Sequence, residues 1–69
     1  MIKNGATPGA SIRTLRSLAG LTLAEVADDA STTTGYLSQV ETGKTQATPV
    51  YIGRVTAVIA DRMVRKVPA

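Results

Sequence analysis

Apolar residues recur at helical spacing in four stretches of the chain, and polar or glycine-containing breaks separate the stretches. Thr7 and Pro8 predict where the first helix begins, because threonine is a good N-cap and proline suits the first helical position. Gly20 predicts its end, since glycine takes the left-handed conformation just past a helix. The apolar face between them is made by Ile12, Leu15 and Ala19.

A capping box predicts the second helix. In Thr22-x-x-Glu25 the hydroxyl accepts from the backbone N–H of Glu25, whose carboxylate reaches back to the cap. Val26, Ala27 and Ala30 then form the inner face of a short helix.

The third helix is predicted over residues 33–42, with Thr33 as its N-cap. Its inward residues are Leu37 and Val40, and Gly43 stops it.

Thr48 and Pro49 repeat the cap-then-proline signal and start a long last helix. Its apolar stripe is expected at Ile52, Val55, Val58, Ile59 and Met63. No stretch alternates like a strand. The chain is therefore expected to be all-α, a compact domain of four helices with a fifth left open, over residues 8–67, after a flexible lead at residues 1–7.

The short link between the second and third helices predicts a helix-turn-helix unit. About three residues cannot join two helices in a comfortable antiparallel hairpin, so the helices should cross steeply. The outer face of the third helix is then small and uncharged, which suits a DNA major groove roughly 12 Å wide. A glutamine such as Gln39 can make a bidentate contact with adenine, and hydroxyls can bond to bases or phosphates. This face comprises Thr34, Gly35, Ser38, Gln39 and Thr42.

From Ile12 to Ile59 the chain resembles the lambda-repressor-like helix-turn-helix domain of phage repressors and Cro proteins, also called the xenobiotic-response-element family. The segments that carry the resemblance are Ile12-Arg13-x-Leu15-Arg16, Gly20-Leu21-Thr22-x-x-Glu25-Val26-Ala27, and Tyr36-Leu37-Ser38-Gln39-Val40-Glu41-Thr42-Gly43-Lys44-Thr45.

The resemblance implies a role for each matching residue. It implies base reading in the major groove by Thr34, Gly35, Ser38 and Gln39. It implies phosphate contacts from Thr22, Thr33, Thr42, Lys44 and Thr45. The distribution of charge along the chain, described below, adds Arg13 to these contacts. It also implies an ion pair between Arg16 and Glu41 that ties the first helix to the third.

Three positions depart from the family pattern. Leu23 stands where the family often has a glutamine that touches phosphate, so that contact is lost or replaced by packing. Ser31 stands where glycine usually takes a left-handed turn, which costs about 1 kcal/mol. Gly35 offers no side chain at a reading position, so specificity rests on few residues or partly on DNA shape. The usual fifth helix has no counterpart, so the family's dimer surface is not carried over.

Charge is distributed unevenly along the chain. Its net charge is +3, yet residues 21–43 contain four acidic residues and no basic one. The attraction for DNA must therefore come from the flanks, from Arg13, Lys44 and either Lys3 or Arg54. Neutralising roughly three phosphates predicts a shallow slope of about −3 for log K against log salt.

Composition excludes much chemistry. The chain has no histidine and no cysteine, so the commonest general base, the commonest metal ligand and any disulfide are missing. We expect no enzyme activity, catalytic residue, metal site, cofactor or small-molecule ligand. No apolar run is long enough to span a bilayer, and a location in the cytoplasm of a bacterial host, at the nucleoid, is expected.

Two functions from different classes fit these patterns. The first is a transcription regulator, a Cro or repressor of a bacteriophage, that binds a double-stranded DNA operator. A homodimer through the last helix would double its contacts, and the candidates for that surface are Val58, Met63, Val64 and Val67. The second is a protein-interaction module such as an antitoxin, which the acidic stretch favours.

Overall fold

The computed structural model describes residues 7–66, which form four helices and no strand. The helices are α1 (Pro8–Ala19), α2 (Leu23–Asp29), α3 (Thr34–Glu41) and α4 (Pro49–Lys66). The expected all-α class is confirmed. The predicted lead before Thr7, together with Lys3 and Val67, lies outside the described residues.

Threonine hydroxyls begin all four helices, as the sequence predicts. Thr7 accepts from the amide of Ala10 at 3.1 Å, and Thr33 accepts from the amide of Tyr36 at 3.1 Å. The capping box at the start of α2 is complete, and Thr48 caps α4 by accepting from the amide of Tyr51. Each cap satisfies a backbone donor that the helix itself leaves unpaired.

The first three helices end in the same way, with one residue in the left-handed region. Gly20 and Gly43 have φ of 72° and 82°, and Ser31 has φ of 58°. After α3, the amide of Lys44 bonds to the carbonyl of Gln39 and that of Gly43 to Val40, which is the Schellman pattern. The turn after α2 therefore takes the left-handed conformation for which the resemblance implies glycine, with Ser31 in that place.

The core lies between α4 and the other three helices. α4 packs against α1 and α2, while α3 packs against α1 and α2. The largest fully buried side chains are those of Ile12, Val26, Leu37, Val55 and Ile59. Small and aliphatic side chains fill most of this core, so the helices approach one another closely.

The predicted stripe on α4 is wrong at one position. Val55 and Ile59 are buried, and Ile52 and Val58 are half-buried and pack against the core, whereas Met63 is 36 % exposed. The buried face also includes Tyr51, whose ring packs edge-on against Tyr36, with ring centres 5.1 Å apart.

Gly9 allows α1 to lie directly against α3. A Cβ atom at this position would collide with the carbonyl group of Val40. The glycine, which by propensity weakens a helix start, is therefore needed for the close approach of two backbones.

None of the helices within residues 7–66 combines the length and the apolar character needed to cross a lipid bilayer.

Candidate nucleic-acid interface

The outward side of α3 is small, uncharged and accessible. Leu37, Val40 and Glu41 bury the opposite side of the helix. Gly35 and Gln39 are exposed and Ser38 is half-buried. A Cβ atom at Gly35 would meet nothing within 4 Å, so the helix presents a notch in the middle of this face.

Thr34 lies at the edge of this face. It borders a groove between α2 and α3 that is also lined by Ala24, Ala27 and Thr32. The structure thus places Gly35, Ser38 and Gln39 on one face of α3. Thr34 lies beside this face, nearer to α2.

A buried ion pair holds α3 from behind. The guanidinium of Arg16 donates to both carboxylate oxygens of Glu41, from Nε at 2.8 Å and from Nη2 at 2.9 Å. A third donor, Nη1, bonds to the carbonyl of Leu21 at 3.0 Å. The side chains of Arg16 and Glu41 are only 15 % and 3 % exposed. The structure brings together the two residues expected to form this pair.

The hydrogen bonds to Glu41 raise the pKa of Arg16, although burial acts in the opposite direction. The guanidinium stays charged, and its planar fork matches the carboxylate at two points. α3 is thereby fixed to α1 and to the loop that leads into α2.

Three of the predicted phosphate-contacting threonines already use their hydroxyl hydrogens inside the protein. Thr22 gives both its amide, at 2.8 Å, and its hydroxyl, at 3.3 Å, to Oε1 of Glu25. Thr42 donates to the carbonyl of Ser38 at 3.0 Å. Thr45 donates to Oε1 of Gln39 at 3.0 Å. A hydroxyl has a single hydrogen, so these three side chains have none left for a phosphate oxygen.

The remaining predicted contacts keep a donor. The hydroxyl of Thr33 accepts in its cap, and its hydrogen is not bonded to any acceptor within residues 7–66. Lys44 and Arg13 are exposed. The donors that face solvent around α3 are therefore fewer than the six residues the sequence suggests.

Side chains from α4 support the helix-turn-helix unit from the other side. Nη1 of Arg54 donates to the carbonyl of Ala30 at 3.1 Å, at the end of α2. Nε of Arg62 donates to Oδ2 of Asp29 at 2.7 Å. The hydroxyls of Thr32 and Tyr51 lie 3.2 Å apart.

Sequence reasoning missed these supports. The residues involved are 19 to 33 positions apart, and no local pattern pairs them. Arg54 was a candidate to supply charge for DNA. In the structure its Nη1 donates to the carbonyl of Ala30 at the end of α2.

The hydrogen bond from Arg62 lowers the pKa of Asp29, and the charges of Arg62 and Arg65 act in the same direction. Asp29 is thus held as a carboxylate. Since Glu41 is paired with Arg16 as well, two of the four acidic residues in 21–43 are paired with arginines from α1 and α4.

Two of the predicted dimer residues, Val58 and Val64, do not share one surface, and Val67 lies outside the described residues. Val58 is half-buried and packs against the core, whereas Val64 is 73 % exposed. Residues six apart on a helix point about 120° apart, because 3.6 residues make one turn.

Comparison with protein families matches residues 9–60 to a family described as a helix-turn-helix domain. The match covers α1 to α3 and two thirds of α4. Comparisons with curated proteins and with solved structures gave no significant match.

Proposed function

Because the chain belongs to the helix-turn-helix domain family, a DNA-binding family, we propose that it is a sequence-specific transcription regulator that places α3 in the major groove of double-stranded DNA. The observation that carries this proposal is the small, uncharged outward face of α3, held rigidly by the buried Arg16–Glu41 pair. Such a face fits a groove roughly 12 Å wide without steric conflict.

In this proposal Gln39 is the principal base-reading residue. Its amide can accept from and donate to one adenine at the same time, which few side chains can do. Ser38 adds a hydroxyl, Thr34 reads at the edge, and the notch at Gly35 lets the backbone of α3 approach the bases closely.

The phosphate contacts come from Thr33, Lys44 and Arg13. Thr22, Thr42 and Thr45, which the resemblance also implies, contribute by shaping the surface around these donors. Two exposed cations neutralise about two phosphates, and a third from outside residues 7–66 would bring the salt slope to about −3.

Selection of bound sequences from random duplex DNA tests the proposal. We expect one preferred site, and we expect Gln39→Ala to lose preference at one base position by roughly 1–3 kcal/mol. Thr14→Ala, a change on α1 away from α3, is the matched control and should leave the site unchanged. A wild-type chain that selects no sequence, or whose affinity does not fall with salt, would contradict DNA binding.

We propose that the chain represses by occupying an operator and excluding polymerase or a competing regulator, as a phage Cro or repressor does. A promoter fusion carrying the selected site should lose expression when the chain is present, and Gln39→Ala should restore it. In a bacterial host this activity lies in the cytoplasm, where the DNA is.

We further propose that two copies pair through the outward stripe of α4. The stripe repeats at intervals of three and four residues, the spacing of a coiled-coil seam. Its two valines are 74 % and 73 % exposed. The members of the stripe are Val50, Gly53, Ala57, Ala60 and Val64.

Charge supports an antiparallel pair. Arg54 and Asp61 lie on the same flank, about equally far from Ala57 at the middle of the stripe. Antiparallel copies therefore bring Arg54 of one near Asp61 of the other, in addition to the bonds that these side chains make to Ala30 and Arg65 within each copy. We expect Ala57→Glu to convert a dimer to a monomer in light scattering, and Ser11→Glu on α1 to have no effect. A monomeric wild type would contradict the pairing.

The alternative function, a protein-interaction module such as an antitoxin, was favoured by the acidic stretch. Asp29 and Glu41 are paired with arginines, so that stretch offers less free charge to a partner than its composition suggests. Substituting Thr34 and Gln39 together separates the two functions. A DNA reader loses its preferred site, whereas a protein binder keeps its partner.

A further inference from the structure

Thr45 and Gln39 are joined by a hydrogen bond that crosses the turn after α3. The hydroxyl of Thr45 donates to Oε1 of Gln39 at 3.0 Å. Gly43, with φ of 82°, reverses the chain so that the two residues meet. The backbone amides of Lys44 and Thr45 also reach the carbonyl of Gln39, at 2.9 and 3.3 Å. The relative position of Thr45 and Gln39 is therefore set by the backbone as well as by the side chains.

We propose that Thr45 is a positioning residue that orients the side-chain amide of Gln39 for base recognition. The proposal rests on the DNA-reading function and goes beyond the role that the family resemblance implies for Thr45, which is a phosphate contact. The hydroxyl hydrogen of Thr45 distinguishes the two roles. A hydroxyl has only one hydrogen, and Thr45 donates it to Gln39 and not to a phosphate.

The bond leaves Gln39 with the groups that adenine requires. An amide oxygen has two lone pairs and the amide nitrogen carries two hydrogens. Thr45 occupies one lone pair, so one acceptor site and both donor hydrogens remain. Bidentate recognition of adenine uses one acceptor and one donor. Gln39 is exposed, and without this bond its side chain would have to be ordered at the moment of binding.

A double-mutant cycle on DNA affinity tests the proposal. Thr45→Val keeps the shape of the side chain and removes the hydroxyl, while Thr45→Ser keeps the hydroxyl. Both are measured alone and together with Gln39→Ala, on the site selected by the wild-type chain and on each single-base variant of it. Circular dichroism and thermal unfolding establish that each variant keeps the fold.

We expect Thr45→Val to lose about two- to tenfold of the discrimination at the one base position read by Gln39. Discrimination at the other positions should be unchanged, and Thr45→Ser should behave as wild type. In the Gln39→Ala background the effect of Thr45→Val should disappear, because no amide is left to orient.

A second measurement does not depend on DNA. The side-chain amide group of Gln39 should give an ordered NMR signal in the free wild-type chain and in Thr45→Ser, and a mobile one in Thr45→Val.

The contrary outcomes are distinct. Equal loss of affinity for all sequences, persisting in the Gln39→Ala background, would show that Thr45 contacts phosphate and would overturn the proposal. Unchanged discrimination in Thr45→Val would overturn it while leaving the DNA-binding function intact. A wild-type chain that selects no sequence would overturn both.

Discussion

The helix-turn-helix unit is held on two sides by contacts of different character. On one side, α1 holds α3 through the Arg16–Glu41 pair, whose side chains are 15 % and 3 % exposed. On the other side, α4 holds α2 through the Arg62–Asp29 pair, whose side chains are 29 % and 31 % exposed. The two arginine–carboxylate pairs are similar in length, at 2.8 and 2.7 Å.

Burial and the number of hydrogen bonds, more than distance, therefore determine what such a pair contributes to stability. A buried carboxylate that loses its partner is left without water and without a counter-charge, so its loss is costly. An exposed carboxylate is re-solvated when its partner is removed. We therefore expect the α1 side to set the position of the reading helix and the α4 side to adjust stability by small amounts.

The largest expected effect is that of Arg16→Ala, which should lower the free energy of unfolding by about 3–5 kcal/mol because Glu41 is left buried and unpaired. Thermal and denaturant unfolding measure this effect. Glu41→Ala should also lower the melting temperature. Its effect on stability should exceed its effect on base preference when both are expressed as free energies. The matched control is Arg62→Ala in the exposed pair, which should shift the melting temperature far less. Equal shifts in the two arginine variants would contradict the larger contribution expected of the buried pair.

The next effect concerns the contact between backbones on the α1 side. Gly9→Ala should destabilise the fold by about 1–3 kcal/mol, because the new methyl group meets the carbonyl of Val40 and the helices must separate. Gly53→Ala is the control, since a Cβ atom there meets nothing within 4 Å. It should stabilise α4 by roughly 0.5–1 kcal/mol. If both alanine substitutions stabilise the fold, or both destabilise it, the close approach of α1 and α3 at Gly9 is contradicted.

A smaller effect of opposite sign is expected at the turn after α2. Ser31 occupies the left-handed region at φ 58°, where a residue with a Cβ atom is disfavoured. Ser31→Gly should therefore raise the free energy of unfolding, by up to about 1 kcal/mol. Ser31→Ala keeps the Cβ atom and should not be stabilising. A glycine variant that is less stable than wild type would show that this strain is compensated elsewhere.

The smallest effect is the pH dependence of the exposed pair. The pKa of Asp29 is lowered from its ordinary value near 3.8 in the folded chain. The pair's contribution is therefore present above that ordinary value and is lost as the pH falls through the folded pKa. Asp29→Asn should therefore lower the melting temperature slightly at neutral pH, where the pair is present, and the two proteins should converge as the pH falls through the folded pKa of Asp29. A difference between wild type and Asp29→Asn that does not shrink below pH 4 would argue against the pair in solution.

Much of the interface was predictable from residues, because the reading face follows from helix periodicity. Once Leu37 and Val40 are placed inside, Gly35 and Gln39 must point outward. What could not be predicted is which donors on this surface are available. Thr22, Thr42 and Thr45 are suitable phosphate contacts by residue type, and only the folded chain shows their hydroxyls bonded to Glu25, Ser38 and Gln39.

Residue type and spacing alone specify where all four helices begin and where α1 and α3 end. Caps and Schellman turns join groups no more than five residues apart, so they need no tertiary contact. The burial of Tyr51, the need for Gly9 and the pairing of Arg62 with Asp29 follow only from the tertiary structure. Each of these depends on the angle and depth at which one helix crosses another, and that geometry is set by the packing of the whole core.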